Sequence, residues 1–172
     1  MADALKTIIE RSSIRAYKDE PLTMEEVDLL IKIGLLAPTA ANRQEIFIVA
    51  VKTEASVVKE LQELLNPGAE NTFYYDAPEL FLLYGKNEFK WSACDAGIAV
   101  ENMHLAAKAM GLGSVIIGCI DNIMHGEKSS CLNQALKVPE GYGFEVALAV
   151  GRPDTDKEPH EIDIKKNSVV IG

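Results

Sequence analysis

The segment Arg11-Ser-Ser-Ile-Arg15 combines two guanidinium groups with hydroxyl groups over five residues. In an extended backbone alternate side chains share a face, so Arg11, Ser13 and Arg15 would point the same way, with Ser12 beside them. Guanidinium groups bind phosphate oxygens bidentately, and this face could therefore hold a phosphate. From the spacing alone, two surface arginines that flank a serine turn are the simpler interpretation.

A second polar segment, Ala37-Pro-Thr-Ala-Ala-Asn-Arg-Gln44, mixes small residues with amide side chains. Small residues such as Pro38, Thr39 and Ala40 would let a flat ring lie close to the backbone. Asn42 and Gln44 each offer a donor and an acceptor, which suits a polar ring edge. Taken by itself, the segment is also compatible with an ordinary loop between a helix and a strand.

Two further positions lie near the end of a predicted strand or just after one. Gly118, after Ile117, could bring a backbone N–H close to a ring, because ligands of open α/β sheets lie near strand ends. The pair Gly151-Arg152 follows the last predicted strand, and together with Lys165-Lys166 it could neutralise a phosphate. Exposed lysine and arginine side chains are usually only solvated, so these signals are weak when taken singly.

The elements that must position these residues follow from hydrophobic patterning. Thr23-Met-Glu-Glu26 is a capping box, which predicts a helix that ends before Pro38. Leu5, Ile8 and Ile9 suggest a short first helix with Asp3 as its N-cap. Two further helices are predicted, one capped by Thr53 that ends near Pro67-Gly68, and one from Ser92 to about Met110, closed by Gly111.

Four apolar runs predict strands, and the patterning predicts helices between them. The runs are Ile46–Val51, Leu80–Tyr84, Ser114–Ile120 and Phe144–Val150. Helices that cover a sheet give an α/β or α+β sandwich. The polar tail from Arg152 to Gly172, which ends in the strand-like Ser168–Ile171, is either disordered or wraps another subunit and adds its strand there.

Composition excludes several functional classes. The chain has 172 residues, a net charge of −9 and a pI near 4.8, so the basic surface that nucleic acids require is missing. Three scattered cysteines and three scattered histidines argue against a disulfide framework and a zinc site. The sequence lacks an apolar leader, and we expect a cytoplasmic protein without a structural metal.

The order of these motifs along the chain resembles the short form of the nitroreductase family of FMN-dependent oxidoreductases. Arg11 to Tyr17 is similar to the family motif R-x-S-x-R-x-aromatic, and Ala37 to Gln44 is similar to A-P-S-x-x-N-x-Q. Asp95 to Gly113 resembles the long central helix of the family and its exit. Phe73–Pro78, Val138–Gly141 and Gly151–Pro153 resemble further family segments in the expected order.

The resemblance implies one domain over residues 1–172, with an α+β fold whose mainly antiparallel sheet is flanked by helices. It implies a homodimer with FMN at the interface, and a C-terminal segment that wraps the partner. Arg11, Ser12, Ser13 and Arg15 would hold the phosphate, completed by Gly151, Arg152 and either Lys165 or Lys166. Pro38, Thr39, Ala40, Asn42 and Gln44 of the other subunit would line the flavin ring, and Gly118, with Ile117, would present its N–H to flavin N5.

The implied activity is the two-electron reduction of nitroaromatics, quinones or similar small electrophiles with NAD(P)H, and no side chain needs to act as a nucleophile or catalytic acid. Two alternatives stay open, namely another FMN-dependent reaction such as reductive dehalogenation, and a non-catalytic flavin-binding protein. One departure concerns the pocket. The family often continues the Gln44 position with Pro-Trp, whereas this chain has Glu45-Ile46.

Overall fold

The computed structural model describes residues 4–171, which form seven α-helices and four β-strands. The helices are α1 (Ala4–Glu10), α2 (Met24–Leu35), α3 (Ser56–Leu65), α4 (Ser92–Ala109), α5 (Asp121–Met124), α6 (Ser129–Ala135) and α7 (Ile164–Asn167). The strands are β1 (Ile46–Lys52), β2 (Glu79–Lys86), β3 (Gly113–Ile117) and β4 (Tyr142–Gly151).

The four strands form one antiparallel sheet in the order β1-β2-β4-β3. At one end of the sheet, which we call the near end, β3 begins at Gly113 opposite the last residue of β4, Gly151. At the far end, β1 begins at Ile46 opposite Gly85 near the end of β2. The strand β3 is short, and its last residue, Ile117, lies opposite Ala147 in the middle of β4.

Helices cover both faces of the sheet because its strands are apolar on both sides. Leu80, Leu82 and Tyr84 of β2 face a core formed with α3, α5 and α6. The alternating residues Phe81 and Leu83 face a second core formed with α2 and α4. This layering confirms the predicted α+β sandwich with a mainly antiparallel sheet.

The start of α2 shows why the sequence predicts it well. The Thr23 hydroxyl accepts a hydrogen bond from the Glu26 N–H at 3.2 Å, and the Glu26 carboxylate accepts one from the Thr23 N–H at 2.8 Å. The predicted capping box is therefore confirmed. The helix ends at Leu35, before Pro38, as predicted.

Other boundaries differ from the prediction. Thr53 does not cap α3, because its hydroxyl donates to the Ala77 carbonyl at 2.8 Å and Ala55 is the N-cap instead. The third strand ends at Ile117 and not at Ile120, since the chain turns there into α5. The first strand is only half-buried because it lies at the edge of the sheet. The proposed cap Asp3 lies outside the described residues.

The tail after Pro153 contains only the short helix α7, and its apolar side chains are exposed to solvent. They are Ile162, Ile164, Val169, Val170 and Ile171, with exposures from 73% to 94%. In α1, the apolar residues Leu5, Ile8 and Ile9 are exposed too. Burial of an apolar side chain is favourable, and these side chains do not have that stabilisation in the single chain. A second surface that covered them would provide it.

Candidate functional site

The segment from Arg11 to Lys18 runs extended along the near end of the sheet. Ser13 forms a parallel bridge with Ser114 of β3, and the Ile14 N–H donates to the Ser114 carbonyl at 3.0 Å. Farther along, Tyr17 forms an antiparallel bridge with Pro153, just after β4. The segment thus has the extended backbone that the phosphate hypothesis requires, at the point where β3 begins and β4 ends.

Beside this segment lies a cavity of about 450 Å³ with several polar and basic groups in its wall. Its lining includes three cationic side chains, three carboxylates and three other polar side chains, which are Arg11, Lys108, Lys157, Glu10, Asp156, Glu158, Ser12, His104 and Ser114. The Ser114 hydroxyl is buried and has no hydrogen-bond partner among the described residues. A buried polar group without a partner is unfavourable, so an acceptor that entered the cavity would satisfy it.

The predicted phosphate residues are distributed unevenly around this cavity. Arg11 and Ser12 line it, and Ser13 lies at its border, where its carbonyl is 3.5 Å from the Lys157 ammonium group. The exposed Arg15 lies farther out, with its guanidinium carbon 5.7 Å from the centre of the Tyr75 ring. Arg15 could meet a phosphate only at the rim of the cavity.

Arg152 does not face the cavity, because carboxylates already surround its guanidinium group. Its two terminal nitrogens donate to the two carboxylate oxygens of Glu26 at 2.9 and 3.0 Å, and its Nε lies 3.7 Å from Glu20. These hydrogen bonds hold the pKa of Glu26 below its usual value. Within the single chain Arg152 therefore pairs with Glu26, and its contact with a phosphate stays a prediction.

The neighbouring Gly151 has a packing role as the last residue of β4. A Cβ atom at this position would lie 2.6 Å from Cδ of Pro78 and 2.9 Å from the Tyr17 ring. Such contacts are too short, so the absence of a side chain lets the N-terminal segment cross here. This is a sufficient reason for a glycine without any ligand.

Lys165 and Lys166 lie in α7 and are exposed, away from the residues that line the cavity. Lys157 is the tail lysine that the structure places at the cavity, a residue that the sequence reasoning missed. Its only sequence signal is its position shortly after Pro153, where the chain leaves the sheet. His104 and Lys108 were missed because they lie inside a predicted helix, and only the fold shows which face they occupy.

The segment Ala37–Gln44 lies at the opposite corner of the sheet, before β1 at the far end. It contains a 3₁₀ turn at Ala40–Asn42, and Ala41, Asn42 and Gln44 all have positive φ near 55°. A non-glycine residue rarely adopts this conformation, and it persists only where surrounding contacts hold it. Surrounding contacts must therefore hold the backbone of this segment in one defined conformation.

Side chains hold this loop in place. The buried carboxylate of Asp95 in α4 accepts the Ala40 N–H at 2.9 Å, and the Thr39 hydroxyl accepts the Gln44 N–H at 2.9 Å. The Gln44 side-chain amide donates to the Asn42 side-chain oxygen at 3.2 Å. Beside the loop is a groove of about 270 Å³ that is lined by Gly34, Leu35, Ala37, Thr39, Gln44 and Ile46.

Glu45 and Ile46, which stand where the family often has Pro-Trp, both have partners nearby in the structure. The Glu45 carboxylate pairs with the Arg43 guanidinium, which also lies 4.3 Å from the centre of the Phe89 ring. Hydrogen bonding to Arg43 lowers the pKa of Glu45. Ile46 begins β1 and packs against the core formed with α2 and α4. Glu45 thus pairs with Arg43, which contacts Phe89 after β2, while Ile46 attaches the end of the loop to the core.

Gly118 follows β3 and is exposed, while the preceding Ile117 is buried. A Cβ atom at Gly118 would meet no atom within 4 Å, so packing inside this chain does not require a glycine here. Gly118 lies four residues after Ser114, which is about 13 Å along an extended strand. The edge strand β3 therefore runs from the cavity that Arg11 lines to the exposed backbone at Gly118.

The two predicted halves of the site do not meet within one chain. Arg11 and Gly118 belong to the β3 edge, whereas Pro38, Thr39, Ala40, Asn42 and Gln44 belong to the β1 edge. Three strand spacings, or about 14 Å, separate these edges, and Arg11 is also at the other end of the sheet. A compact site that includes both halves needs a second copy of the chain.

Within residues 4–171, no cluster of histidine, cysteine or acidic side chains has the arrangement of a metal site. In the same range, none of the helices is both long and apolar enough to span a membrane. The three cysteines are exposed and unpaired.

Comparison with known proteins identifies the fold. The chain is 30% identical to an FMN reductase (NADPH) of Bacillus subtilis, over 89% of this chain and 67% of that protein. It is 27% identical to an NADPH-flavin oxidoreductase of Vibrio harveyi, over 92% and 69% of the two chains. The crystal structure of a nitroreductase with bound FMN from Desulfitobacterium hafniense superimposes with a TM-score of 0.87 and 25% identity, and covers 99% of this chain and all of that one. The family model for nitroreductases matches residues 8–152, and the chain belongs to the nitroreductase family.

Proposed function

We propose that the protein binds FMN along β3 and uses it as an NAD(P)H-dependent oxidoreductase that reduces small electrophiles such as nitroaromatics or quinones. The observation that carries this proposal is the arrangement at β3, with a polar cavity lined by Arg11, Ser12 and Ser114 at one end and the open Gly118 at the other. Similarity to FMN reductases and to a nitroreductase with bound FMN supports it. The cytoplasmic location stays a prediction from the sequence.

The cavity fits a phosphate monoester. Arg11 and Lys157 offer positive charge, and Ser12 and Ser114 offer hydroxyl groups, one of which is buried without a partner. The carboxylates of Glu10, Asp156 and Glu158 also line the cavity, so a phosphate would have to lie on the side of Arg11 and the serines. Charge-assisted hydrogen bonds from these groups would fix the phosphate and leave the rest of the cofactor to extend along β3. Ser13 and Arg15 would complete the site at its border. Arg152 is left out of this set, because Glu26 already binds it.

The ring would lie against Gly118, whose backbone has room for it. When bound, FMN supplies the redox chemistry, since it accepts a hydride from the nicotinamide and returns two electrons to a second substrate. The chain would contribute position, the Gly118 N–H as a hydrogen-bond donor, and exclusion of water by Ile117 and the partner loop. None of these tasks needs a side-chain nucleophile.

A homodimer would complete this site. The partner would supply Pro38 to Gln44, since the fold separates this loop from β3 within one chain. The exposed apolar residues of the tail, together with Leu35 and Leu36 of the α2 end, provide surface that a second copy would cover. The tail would wrap the partner and bury Val169, Val170 and Ile171.

An absorbance spectrum of the purified protein tests this proposal, recorded before and after anaerobic addition of NADH or NADPH. We expect flavin bands that bleach with at least one donor, and that return when a quinone or nitroaromatic is added. Bound flavin that neither donor reduces would indicate flavin storage. A preparation that takes up no FMN in excess would contradict the whole proposal. Reoxidation by a halogenated aromatic with halide release, but not by quinones, would indicate reductive dehalogenation.

A further inference from the structure

Arg11 in the cavity wall forms a triangle with two side chains of α4, Glu101 and His104, which the proposed chemistry does not yet use. The Nε of Arg11 lies 3.5 Å from Oε1 of Glu101, and a terminal nitrogen of Arg11 lies 3.5 Å from Nε2 of His104. The third side of the triangle is open, because Nδ1 of His104 lies 3.6 Å from Oε2 of Glu101 and has no hydrogen-bond partner among the described residues. Glu101 and His104 are three residues apart on α4, so they lie on one face of that helix.

The protonation of His104 is consistent with this triangle. The imidazole is buried, and burial together with the Arg11 charge lowers its pKa to about 4. A neutral ring has one acceptor nitrogen, and Nε2 must be that acceptor because a guanidinium can only donate. The remaining proton is then on Nδ1, which lies 3.6 Å from the Glu101 carboxylate and has no hydrogen-bond partner among the described residues.

We propose that Glu101 and His104 are positioning residues that aim the Arg11 guanidinium at the phosphate of the cofactor. This inference rests on the proposed FMN function. Both residues contact Arg11 from the α4 side, so together they restrict its rotamers and leave its second terminal nitrogen for the cavity. A long arginine side chain that is already ordered loses less conformational entropy when it binds a ligand.

The test compares FMN with riboflavin, which lacks the phosphate, in titrations of the full-length chain after removal of flavin. We expect the preference for FMN over riboflavin to fall by about tenfold in Glu101→Gln and in His104→Leu, the size expected for one weakened charge-assisted hydrogen bond. Riboflavin affinity should stay the same. His104→Gln keeps an acceptor near Arg11 and should recover part of the preference.

A double-mutant cycle separates positioning from a direct contact with the ligand. Because Glu101 acts through Arg11, the variant Arg11→Ala with Glu101→Gln should lose no more preference than Arg11→Ala alone. Glu60→Gln on the exposed side of α3 changes the net charge equally, and should leave the preference unchanged.

Additive losses in the cycle, or an unchanged preference in folded Glu101→Gln and His104→Leu, would overturn the inference. If His104→Leu does not fold, Glu101→Gln decides, since the Glu101 side chain is 46% exposed and tolerates the change. Failure of the proposed function looks different, because the wild-type chain would then show no preference for FMN at all.

Discussion

Among single residues, the arginines around β3 differ in the partners that the fold gives them. Arg15 lies at the rim of the cavity and contacts the Tyr75 ring, whereas Arg152 is bound by Glu26. We expect Arg15→Ala to weaken FMN binding by roughly 1.5–3 kcal/mol, the range for a charge-assisted hydrogen bond. Fluorescence titration with FMN measures this loss. Arg152→Ala is the control and should leave FMN affinity unchanged, and a reversed order of the two variants would return Arg152 to the phosphate site.

Two glycines of the β3 region allow a test that distinguishes packing from binding. A Cβ atom at Gly118 meets no atom of the chain within 4 Å, whereas one at Gly113 would lie 2.9 Å from the Ile14 side chain. We expect Gly118→Ala to unfold at the same urea concentration as the wild type in the absence of flavin, but to bind FMN more weakly because the methyl group meets the ring. Gly113→Ala should instead lower the free energy of unfolding. Full FMN affinity in Gly118→Ala would move the ring away from this residue.

The ion pair of Arg152 and Glu26 makes stability depend on pH. Hydrogen bonds from Arg152 hold the pKa of Glu26 below its usual value in the folded chain. Such a carboxyl stabilises the fold above the ordinary glutamate pKa, and this contribution is lost as the pH falls through the lowered pKa. We expect Glu26→Gln to be less stable than the wild type at pH about 7, and the difference to shrink as the pH falls below the ordinary glutamate pKa and through the lowered pKa of Glu26.

Urea unfolding of both chains at several pH values measures this difference. Glu25→Gln provides a matched control, because it removes the same charge from the same first turn of α2 without touching Arg152. A stability difference for Glu26→Gln that does not change with pH would show that the ion pair contributes nothing through its charge.

At the scale of elements, the sequence predicts those whose signals are local. The capping box and the apolar spacing are enough to place α2, and the run from Leu80 to Tyr84 is enough to place β2. The short helices α5 and α6 carry too few residues for a periodic pattern, and were missed. The edge position of β1 depends on strand order, which no single segment encodes, and its half-burial was therefore not predictable.

The candidate site likewise contains some residues that the sequence predicts and others that only the fold brings together. The extended segment with Arg11 and Ser12 follows from motif spacing, and the structure places both residues at the cavity. Lys157 and His104 reach the same cavity from other parts of the chain, and Glu101 pairs with Arg11 behind its wall, so only the tertiary fold brings them together. Lys165 and Lys166 were predicted from their charge, but they are exposed and are not among the residues that line the cavity. Their contact with a phosphate therefore stays a prediction.

The tail is the element whose role depends most on a partner. Its apolar residues from Ile162 to Ile171 are largely exposed in the single chain, and burial of each would be favourable by about 1.5–3 kcal/mol for a fully covered side chain. We expect a chain that ends at Glu161 to dissociate into monomers at concentrations where the full chain is dimeric. Analytical ultracentrifugation measures this shift.

The double variant Lys165→Ala with Lys166→Ala distinguishes the effect of the tail's positive charges from the effect of its apolar residues. This double variant should stay dimeric, and it should bind FMN more weakly only if one of the lysines reaches the phosphate. A truncated chain with an unchanged dimer dissociation constant would show that the tail does not wrap the partner.

At the scale of the whole molecule, the sheet separates two groups of residues that one cofactor would need. The cavity that Arg11 lines is at the β3 edge, and the loop Ala37–Gln44, which Asp95 holds, is at the β1 edge. If each flavin site takes its cavity from one chain and its loop from the other, defects in the two groups should complement each other. Arg11→Ala damages the cavity, and Asp95→Ala removes the acceptor that holds the Ala40 N–H.

Mixing the two variants under conditions that exchange subunits gives hybrid dimers with a predictable site composition. With loops in trans, one site of each hybrid carries both defects and the other carries none, because each intact half comes from a different chain. With loops in cis, every site carries one defect. We expect each hybrid dimer to bind FMN at one site with wild-type affinity, and to have about half of the wild-type NAD(P)H-dependent activity, although each parent variant is impaired. Activity no higher than the mean of the two parents would place the loop in the same subunit as the cavity, and would contradict the shared site.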